Sequence, residues 1–162
     1  MSAPELDVLI AGAGPAGAAA AIRLAEQGFR TLAVDRASFP REKACSEYMS
    51  PETVRHLALL GVLPELEAAG GIALRGTMVA GPRGARLTGL FARAAVPPCR
   101  ETGLSLPRRI LDDALVRRAR RAGAEVLERT TVIETLREAD AVRGLVVRAE
   151  DGRVRELRSR VV

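Results

Sequence analysis

The chain has 162 residues, of which 48% are hydrophobic and 2% aromatic, and it carries a formal net charge of +5 at pH 7. A chain of this length is long enough for one domain, and a folded domain near this size buries roughly 70% of its unfolded surface. With so few aromatic side chains, Val, Leu, Ile and Ala must fill its core. Its arginines are dispersed along the chain and have no aromatic stacking residues beside them, which argues against nucleic acid as a partner. The densest group of arginines consists of Arg117, Arg118, Arg120 and Arg121, and we interpret it as a solvated helix face rather than an anion-binding surface.

The first seven residues contain no basic segment of the kind that begins a signal peptide. The apolar stretch from Val8 to Ile22 is shorter than the roughly 20 residues that cross a bilayer. We therefore expect a cytoplasmic protein without a transmembrane segment. Contact with a membrane stays open, but nothing in the sequence supports it.

A strand, a helix and a second strand are predicted next. Asp7 to Ala11 is a short apolar run typical of a buried strand, and the Ala-rich segment from Pro15 to Gln27 is helical, with Gly28 as its C-terminal stop. Thr31 to Asp35 is a second buried strand. This order makes a βαβ unit, whose crossover is right-handed in nearly all proteins.

The middle of the chain leaves this pattern. The elements predicted there are a helix capped by Ser50 that runs to about Leu60, a helical turn from Pro64 to Ala69, strands from Ile72 to Ala80 and from Arg86 to Leu90, and a loop at residues 94–102. The Gly-Pro-Arg-Gly sequence between the two strands is turn chemistry, so these strands are expected to form a hairpin.

The last third returns to a helix and then to strands. The helix from Pro107 to Ala122 is amphipathic, with Leu111 and Leu115 on its apolar face. The strands predicted after it are Glu125 to Leu136, Val142 to Ala149 and Val154 to Val162, the last two joined by a turn at Asp151-Gly152.

The sequence Gly12-Ala13-Gly14-Pro15-Ala16-Gly17 lies between the first strand and the first helix. It matches Gly-x-Gly-x-x-Gly in the strand–turn–helix context that dinucleotide binding requires. Gly12 permits the tight turn, Gly14 lets the backbone approach a pyrophosphate, and Gly17 lets the helix pack closely on the strand. The N–H groups at the start of the helix then point at the anion, and Asp35 can accept hydrogen bonds from ribose hydroxyls. The sequence therefore predicts a dinucleotide site.

The predicted fold class is α/β: a Rossmann-like βαβ nucleotide-binding domain with an antiparallel β-hairpin excursion and a β-meander. Its nucleotide-binding core is expected at about 1–70 and 103–162, and the hairpin insert at about 71–102. A parallel sheet of strands near Asp7, Thr31 and Glu125 has few members and unprotected edges, so we expect further chain to complete it.

The thiol and imidazole side chains indicate no catalytic group. Cys45 and Cys99 have neither metal-ligand nor disulfide-framework spacing, and Cys99 is treated as an ordinary loop residue. His56, the only histidine, is expected on a helix surface or in packing, which gives no basis for a general base. We therefore predict no metal and name no catalytic residue.

Three further segments carry a family resemblance: Asp35-Arg36, Phe39 to Cys45 (Phe-Pro-Arg-Glu-Lys-Ala-Cys), and Leu106 to Asp112, which contains Arg-x-x-Leu-Asp. With the glycine turn, they resemble the FAD-dependent group that contains geranylgeranyl reductases, flavin-dependent halogenases and single-component aromatic hydroxylases. The resemblance covers nearly the whole chain. The Pro-to-Cys segment is most typical of the reductases, although these usually have glycine where this chain has Ser46.

The resemblance implies FAD as the cofactor, with contacts from Gly12, Gly14, Pro15, Ala16, Gly17 and Arg36. It implies that Asp35 holds the adenosine ribose and that the backbone of Val132 contacts adenine. Arg108 would reach the FAD, and Cys45 and Ser46 would border the flavin. The residues alone also allow Arg108 to be a solvated first-turn arginine and Cys45 an inert small residue.

The function implied is that of an FAD-dependent oxidoreductase with NAD(P)H or another electron donor. It would either reduce carbon–carbon double bonds, as in prenyl chains, or act as a single-component monooxygenase, on a small apolar or aromatic substrate. Relatives continue past this chain, so we expect an N-terminal fragment that binds FAD weakly or not at all by itself and that a C-terminal partner chain could complete. The alternatives are a non-catalytic dinucleotide-binding module and an NAD(P)-dependent dehydrogenase, against which the loop after Asp35 argues.

Overall fold

The computed structural model describes residues 6–93 and 100–162, so Cys99 and most of the loop predicted at 94–102 lie outside the described residues. The chain divides into two compact units. The first combines Met1–Glu42 with Leu111–Val162, and the second is Lys43–Ile110. Within the described ranges, no helix combines the length and the apolar character needed to cross a membrane.

The elements follow one another as β1 (Leu6–Ala11), α1 (Pro15–Glu26), β2 (Thr31–Val34), β3 (Tyr48–Met49), α2 (Pro51–Leu59), α3 (Leu63–Ala68), β4 (Ile72–Leu74), β5 (Gly76–Ala80), β6 (Arg86–Leu90), β7 (Gly103–Ser105), α4 (Arg108–Arg121), β8 (Glu125–Leu127), β9 (Thr130–Glu138), β10 (Ala141–Ala149) and β11 (Val154–Val161). The βαβ start, the hairpin, the return helix and the meander are thus confirmed. Ser50 caps α2 as predicted, because its hydroxyl oxygen accepts a hydrogen bond from the Thr53 N–H at 3.2 Å.

The first unit is built on a six-stranded sheet in the order β8-β2-β1-β11-β10-β9. Strands β8, β2, β1 and β11 run parallel, while β9, β10 and β11 form the antiparallel meander. Strand β11 therefore belongs to both parts, since it pairs with β1 at Leu6–Ser159 and Val8–Val161. The parallel sheet has one strand more than the three expected near Asp7, Thr31 and Glu125.

The parallel strands bury side chains on both faces because successive residues of a strand point to opposite sides. The cluster on one face joins them to the meander and consists of Leu9, Leu32, Val34, Leu145 and Val147. On the other face, Ala33 and Ala13 pack against Val116 of α4. Helix and meander thus cover opposite faces of the strands that carry the glycine turn.

The second unit contains a three-stranded sheet in the order β3-β7-β4 and the separate hairpin β5-β6. It extends beyond the insert expected at about 71–102 because β7 pairs with both β3 and β4, which ties α2 and the segment before it to the hairpin region. The strand expected from Ile72 to Ala80 is interrupted at Arg75, whose carbonyl accepts the Phe91 N–H at 3.0 Å.

The strand expected from Glu125 to Leu136 is also two strands, β8 and β9. Between them Arg129 takes a positive φ of 50°, and its N–H donates to the Ala37 carbonyl at 3.1 Å. The Thr130 N–H likewise donates to the Asp35 carbonyl at 2.9 Å. The start of β9 is therefore attached to the loop that follows β2.

Candidate dinucleotide-binding site

The glycine turn connects β1 to α1 in a conformation that requires glycine. Gly12 has φ +103°, in the region that other residues rarely adopt, and its N–H donates to the Val34 carbonyl at 2.7 Å. A Cβ on Gly17 would lie 1.9 Å from the Gly12 carbonyl oxygen and 3.2 Å from Cγ2 of Ile10. The helix therefore contacts β1 at a separation that no larger residue permits.

The N-terminus of α1 has the properties of an anion site. The N-cap is Gly14, which has no side chain to cap the helix. Pro15 occupies the first turn, and this turn contains no acidic residue. In an α-helix the N–H groups of the first turn have no intrahelical acceptor, and they carry the positive end of the helix dipole. The N–H groups of Ala16 and Gly17 can thus donate to a phosphate, as such turns do in dinucleotide sites.

Asp35 is 7% exposed and lies directly after β2. Its Oδ2 accepts the Ala13 N–H at 2.8 Å, and its Oδ1 accepts the Ala37 N–H at 2.9 Å. The carboxylate therefore fixes the middle of the glycine turn to the end of β2. Each carboxylate oxygen can accept a second hydrogen bond, so these contacts are compatible with ribose hydroxyls as further donors.

A buried ion pair that the sequence analysis did not identify lies beside this turn. Arg41 donates from Nε to Oδ2 of Asp112 at 3.2 Å, and its Nη2 lies 3.1 Å from the same oxygen. The Asp112 side chain is fully buried, and the Arg41 side chain is 16% exposed. Both residues belong to the segments that carry the family resemblance, but 71 positions separate them, so no local pattern could have paired them.

The loop after β2 also borders an open, polar cavity of about 680 Å³. Its lining residues are Arg36, Ala37, Ser38, Arg129, Thr131, Arg148, Ala149 and Glu150. Arg129 and Glu150 form an ion pair across 3.0 Å, and Val132 follows Thr131 with its side chain packed against the core. Arg36 and the β9 segment around Val132 therefore lie near one another, next to Asp35.

Three of the predicted cofactor contacts lie together in the second unit. Cys45 is exposed, and a hydrogen bond from the Glu47 N–H, followed by the Arg108 guanidinium and then Ser46, lowers the pKa of its thiol below the ordinary value. Arg108 is the first residue of α4, where an arginine opposes the helix dipole, and its contact with Cys45 gives it a local partner. The structure thus places Cys45, Ser46 and Arg108 in one group.

His56 is exposed on α2, with its Nε2 3.3 Å from Oε1 of Glu52, in agreement with the helix-surface role predicted for it. Among the residues with described positions, no group of three or more His, Cys, Asp or Glu side chains could hold a metal ion.

The chain matches a family model, described as FAD binding domain, over residues 5–162. It is 34% identical over 132 residues to the menaquinone reductase of Mycolicibacterium smegmatis, a match that covers 79% of this chain and 30% of that protein. It is 33% identical over 159 residues to the digeranylgeranylglycerophospholipid reductase of Methanosphaerula palustris, which covers 98% of this chain and 37% of that protein.

Among solved structures, the chain resembles the myxobacterial chondrochloren halogenase, a variant of the FAD-dependent halogenases, with a TM-score of 0.86 and 31% identity. The match covers 96% of this chain and 36% of the halogenase. The chain therefore spans between 30% and 37% of the length of these proteins.

Proposed function

The chain belongs to the FAD binding domain family, and from that premise we propose that it supplies the ADP-binding half of the FAD site of an oxidoreductase. The observation that carries the proposal is the glycine turn, with Gly12 at positive φ, Gly17 in contact with β1, and Asp35 holding the Ala13 N–H. This arrangement presents helix N–H groups and a carboxylate side by side, which are the donors for a pyrophosphate and the acceptor for a ribose.

The adenosine end of the cofactor is assigned to the region beyond Asp35. Two ribose hydroxyls would donate to the remaining acceptor positions of the Asp35 carboxylate. The adenine would occupy the cavity bordered by Arg36 and Thr131, and the backbone of Val132, the next residue of β9, would contact it. A planar guanidinium such as that of Arg36 can stack on an aromatic ring, which suits an adenine ligand.

The flavin end is assigned to the group formed by Cys45, Ser46 and Arg108. Bound flavin supplies the redox chemistry, and the protein supplies binding, orientation and electrostatics. Arg108 and the Glu47 N–H stabilise negative charge at the Cys45 position, as the lowered thiol pKa indicates. These groups are therefore suited to an electron-rich edge of the cofactor.

For the whole protein we propose an FAD-dependent oxidoreductase that reduces a carbon–carbon double bond or acts as a monooxygenase on a small apolar or aromatic substrate, with NAD(P)H or another electron donor. Two relatives with the names menaquinone reductase and digeranylgeranylglycerophospholipid reductase support the reductase class. Because the chain spans 30% and 37% of those proteins, polypeptide equivalent to the rest of their length would complete the flavin site, within the same chain or as a partner.

The test is a titration of FAD with the purified chain, followed by flavin fluorescence anisotropy to millimolar protein. We expect saturable, weak binding, and Asp35→Ala should weaken it by about tenfold or more, because the ribose acceptor and the anchor of the turn are both lost. Asp140→Ala, at the exposed tip of the β9–β10 hairpin, is the control and should bind as the wild type does. NAD competing as strongly as FAD itself would instead favour a dehydrogenase.

A further inference from the structure

The side-chain space at Gly14 is already occupied. A Cβ built on this residue would lie 3.2 Å from Nη2 of Arg41. The guanidinium therefore lies against the N-cap of α1, where the first-turn N–H groups point. A fixed cation and a helix N-terminus at the same place both favour a bound phosphate.

Asp112 holds the Arg41 side chain in this position. Both contacts between them converge on Oδ2 of Asp112 and use Nε and Nη2 of the guanidinium. The ring of Phe39 lies against the same guanidinium, with its centroid 5.2 Å from Cζ, a cation–π distance. The orientation of Arg41 is thus fixed from two directions.

The hydrogen-bonding capacity of Arg41 is not used up by these contacts. A guanidinium carries five N–H donors. Across the described residues, Asp112 is the acceptor that contacts this group, through Nε and Nη2. The Nη1 edge therefore has donors available for an anion.

A buried ion pair is weak evidence of a stabilising role. Taking both charges out of water costs several kcal/mol, and apolar residues of similar size stabilise such positions about equally well. A fully buried Asp112 beside an arginine that retains 16% side-chain exposure suits a different purpose, which is to hold one charged group at a partly open surface.

We propose that Arg41 is a phosphate-binding residue of this site and that Asp112 is its positioning residue. The inference rests on the proposed FAD site, because it assigns the pyrophosphate to the N-terminus of α1. Arg41 would donate from its Nη1 edge to a phosphate oxygen, while Asp112 keeps the guanidinium from turning away.

The experiment compares ADP with adenosine, because the two ligands differ only in the phosphates. Affinities of the wild-type chain and Arg41→Gln are measured by amide NMR titration, which detects millimolar binding. Arg41→Gln should weaken ADP binding about tenfold, as expected for one charge-assisted hydrogen bond, and leave adenosine binding within about twofold. Asp112→Asn should also weaken ADP binding without weakening adenosine binding, but by a smaller factor than Arg41→Gln, since the guanidinium remains.

Two further variants complete the experiment, one in case Arg41→Gln does not fold and one as a control for the loss of charge. The double variant Arg41→Gln/Asp112→Asn leaves no buried charge without a partner, so it tests phosphate binding even if Arg41→Gln does not fold. Arg118→Gln removes an equal charge from an ion pair between α4 and Glu26, roughly 18 Å along α1 from Gly14, and should bind ADP normally.

Equal losses of affinity for ADP and adenosine in the Arg41 variants would show that the ion pair of Arg41 with Asp112 is only structural, and would overturn the proposal. Unchanged ADP affinity in Arg41→Gln and in the double variant would also overturn it, while the FAD site itself would stand. A wild-type chain that binds neither ligand would contradict this inference and the proposed function together.

Discussion

The Asp35 carboxylate has an observed role in the glycine turn and a proposed role toward ribose. Its position after the second strand predicted a ribose acceptor, but the hydrogen bonds from the Ala13 and Ala37 N–H groups make it part of the turn itself. A sequence pattern reports which residue follows a strand and not which backbone groups its side chain accepts. The hydrogen bond from the Ala13 N–H to Asp35, which tethers the turn to the end of β2, could therefore not be predicted from the sequence.

The Asp35 carboxylate gives a direct test of this tether. In Asp35→Asn a single carboxamide oxygen can accept only one of the two N–H groups, and the amide nitrogen faces the other. We expect the free energy of unfolding, measured by urea denaturation, to fall by about 1–3 kcal/mol, the cost of an unsatisfied buried donor. Asp140→Asn is the exposed control and should change it by less than about 0.5 kcal/mol. Equal effects in the two variants would refute the tether.

Cys45 gives a second prediction at this scale. Because the Glu47 N–H and then the Arg108 guanidinium lower the pKa of its thiol, the thiolate should form at lower pH than in an ordinary cysteine. In a Cys99→Ser background, the rate of iodoacetamide alkylation against pH should have its midpoint below the ordinary value. Arg108→Gln should raise that midpoint, since it removes a stabilising charge.

The neighbouring variant Arg109→Gln is the matched control for this experiment. Arg109 is exposed and is not among the groups that lower the pKa of Cys45. A midpoint that moves equally in both variants would reflect the general loss of positive charge and not a contact from Arg108.

At the scale of elements, the sequence predicted what local chemistry determines. The helix after the glycine turn, the Ser50 cap and the hairpin turn at Asp151-Gly152 each depend on residues close in sequence, and each is present. Strands β3 and β7 were not predicted, because two or three residues are too short for a period-2 pattern and exist through their pairing with each other. The ion pair of Arg41 with Asp112 belongs to the same class of long-range features.

The contact between α1 and β1 is tested by Gly17→Ala. The new Cβ would lie 1.9 Å from the Gly12 carbonyl oxygen, so turn and helix must move apart. We expect the free energy of unfolding to fall by about 2 kcal/mol or more, and FAD binding to weaken with it. Gly81→Ala is the control, since its Cβ would find only ordinary contacts at 3.8 Å and 3.9 Å. Wild-type stability in Gly17→Ala would contradict the close contact.

For the whole molecule, the α/β class and the Rossmann-like start with a β-meander follow from the order of elements along the chain. The attachment of β11 to β1 does not, because the sequence of a strand does not state its partner. The division at Lys43 and Ile110 likewise depends on β7 pairing with both β3 and β4. Pairings between distant segments decide both features.

We propose that the glycine turn and Asp35 hold the ADP part of FAD. The most direct test is a titration of the isotope-labelled chain with ADP, in which each backbone amide reports binding near it. We expect saturable shifts at the amides of residues 12–14, 16 and 17, at Asp35, and at Thr131 and Val132, with the β5–β6 hairpin unaffected. Shifts confined to the hairpin, or no saturable shift at millimolar ADP, would contradict this assignment of the ADP site.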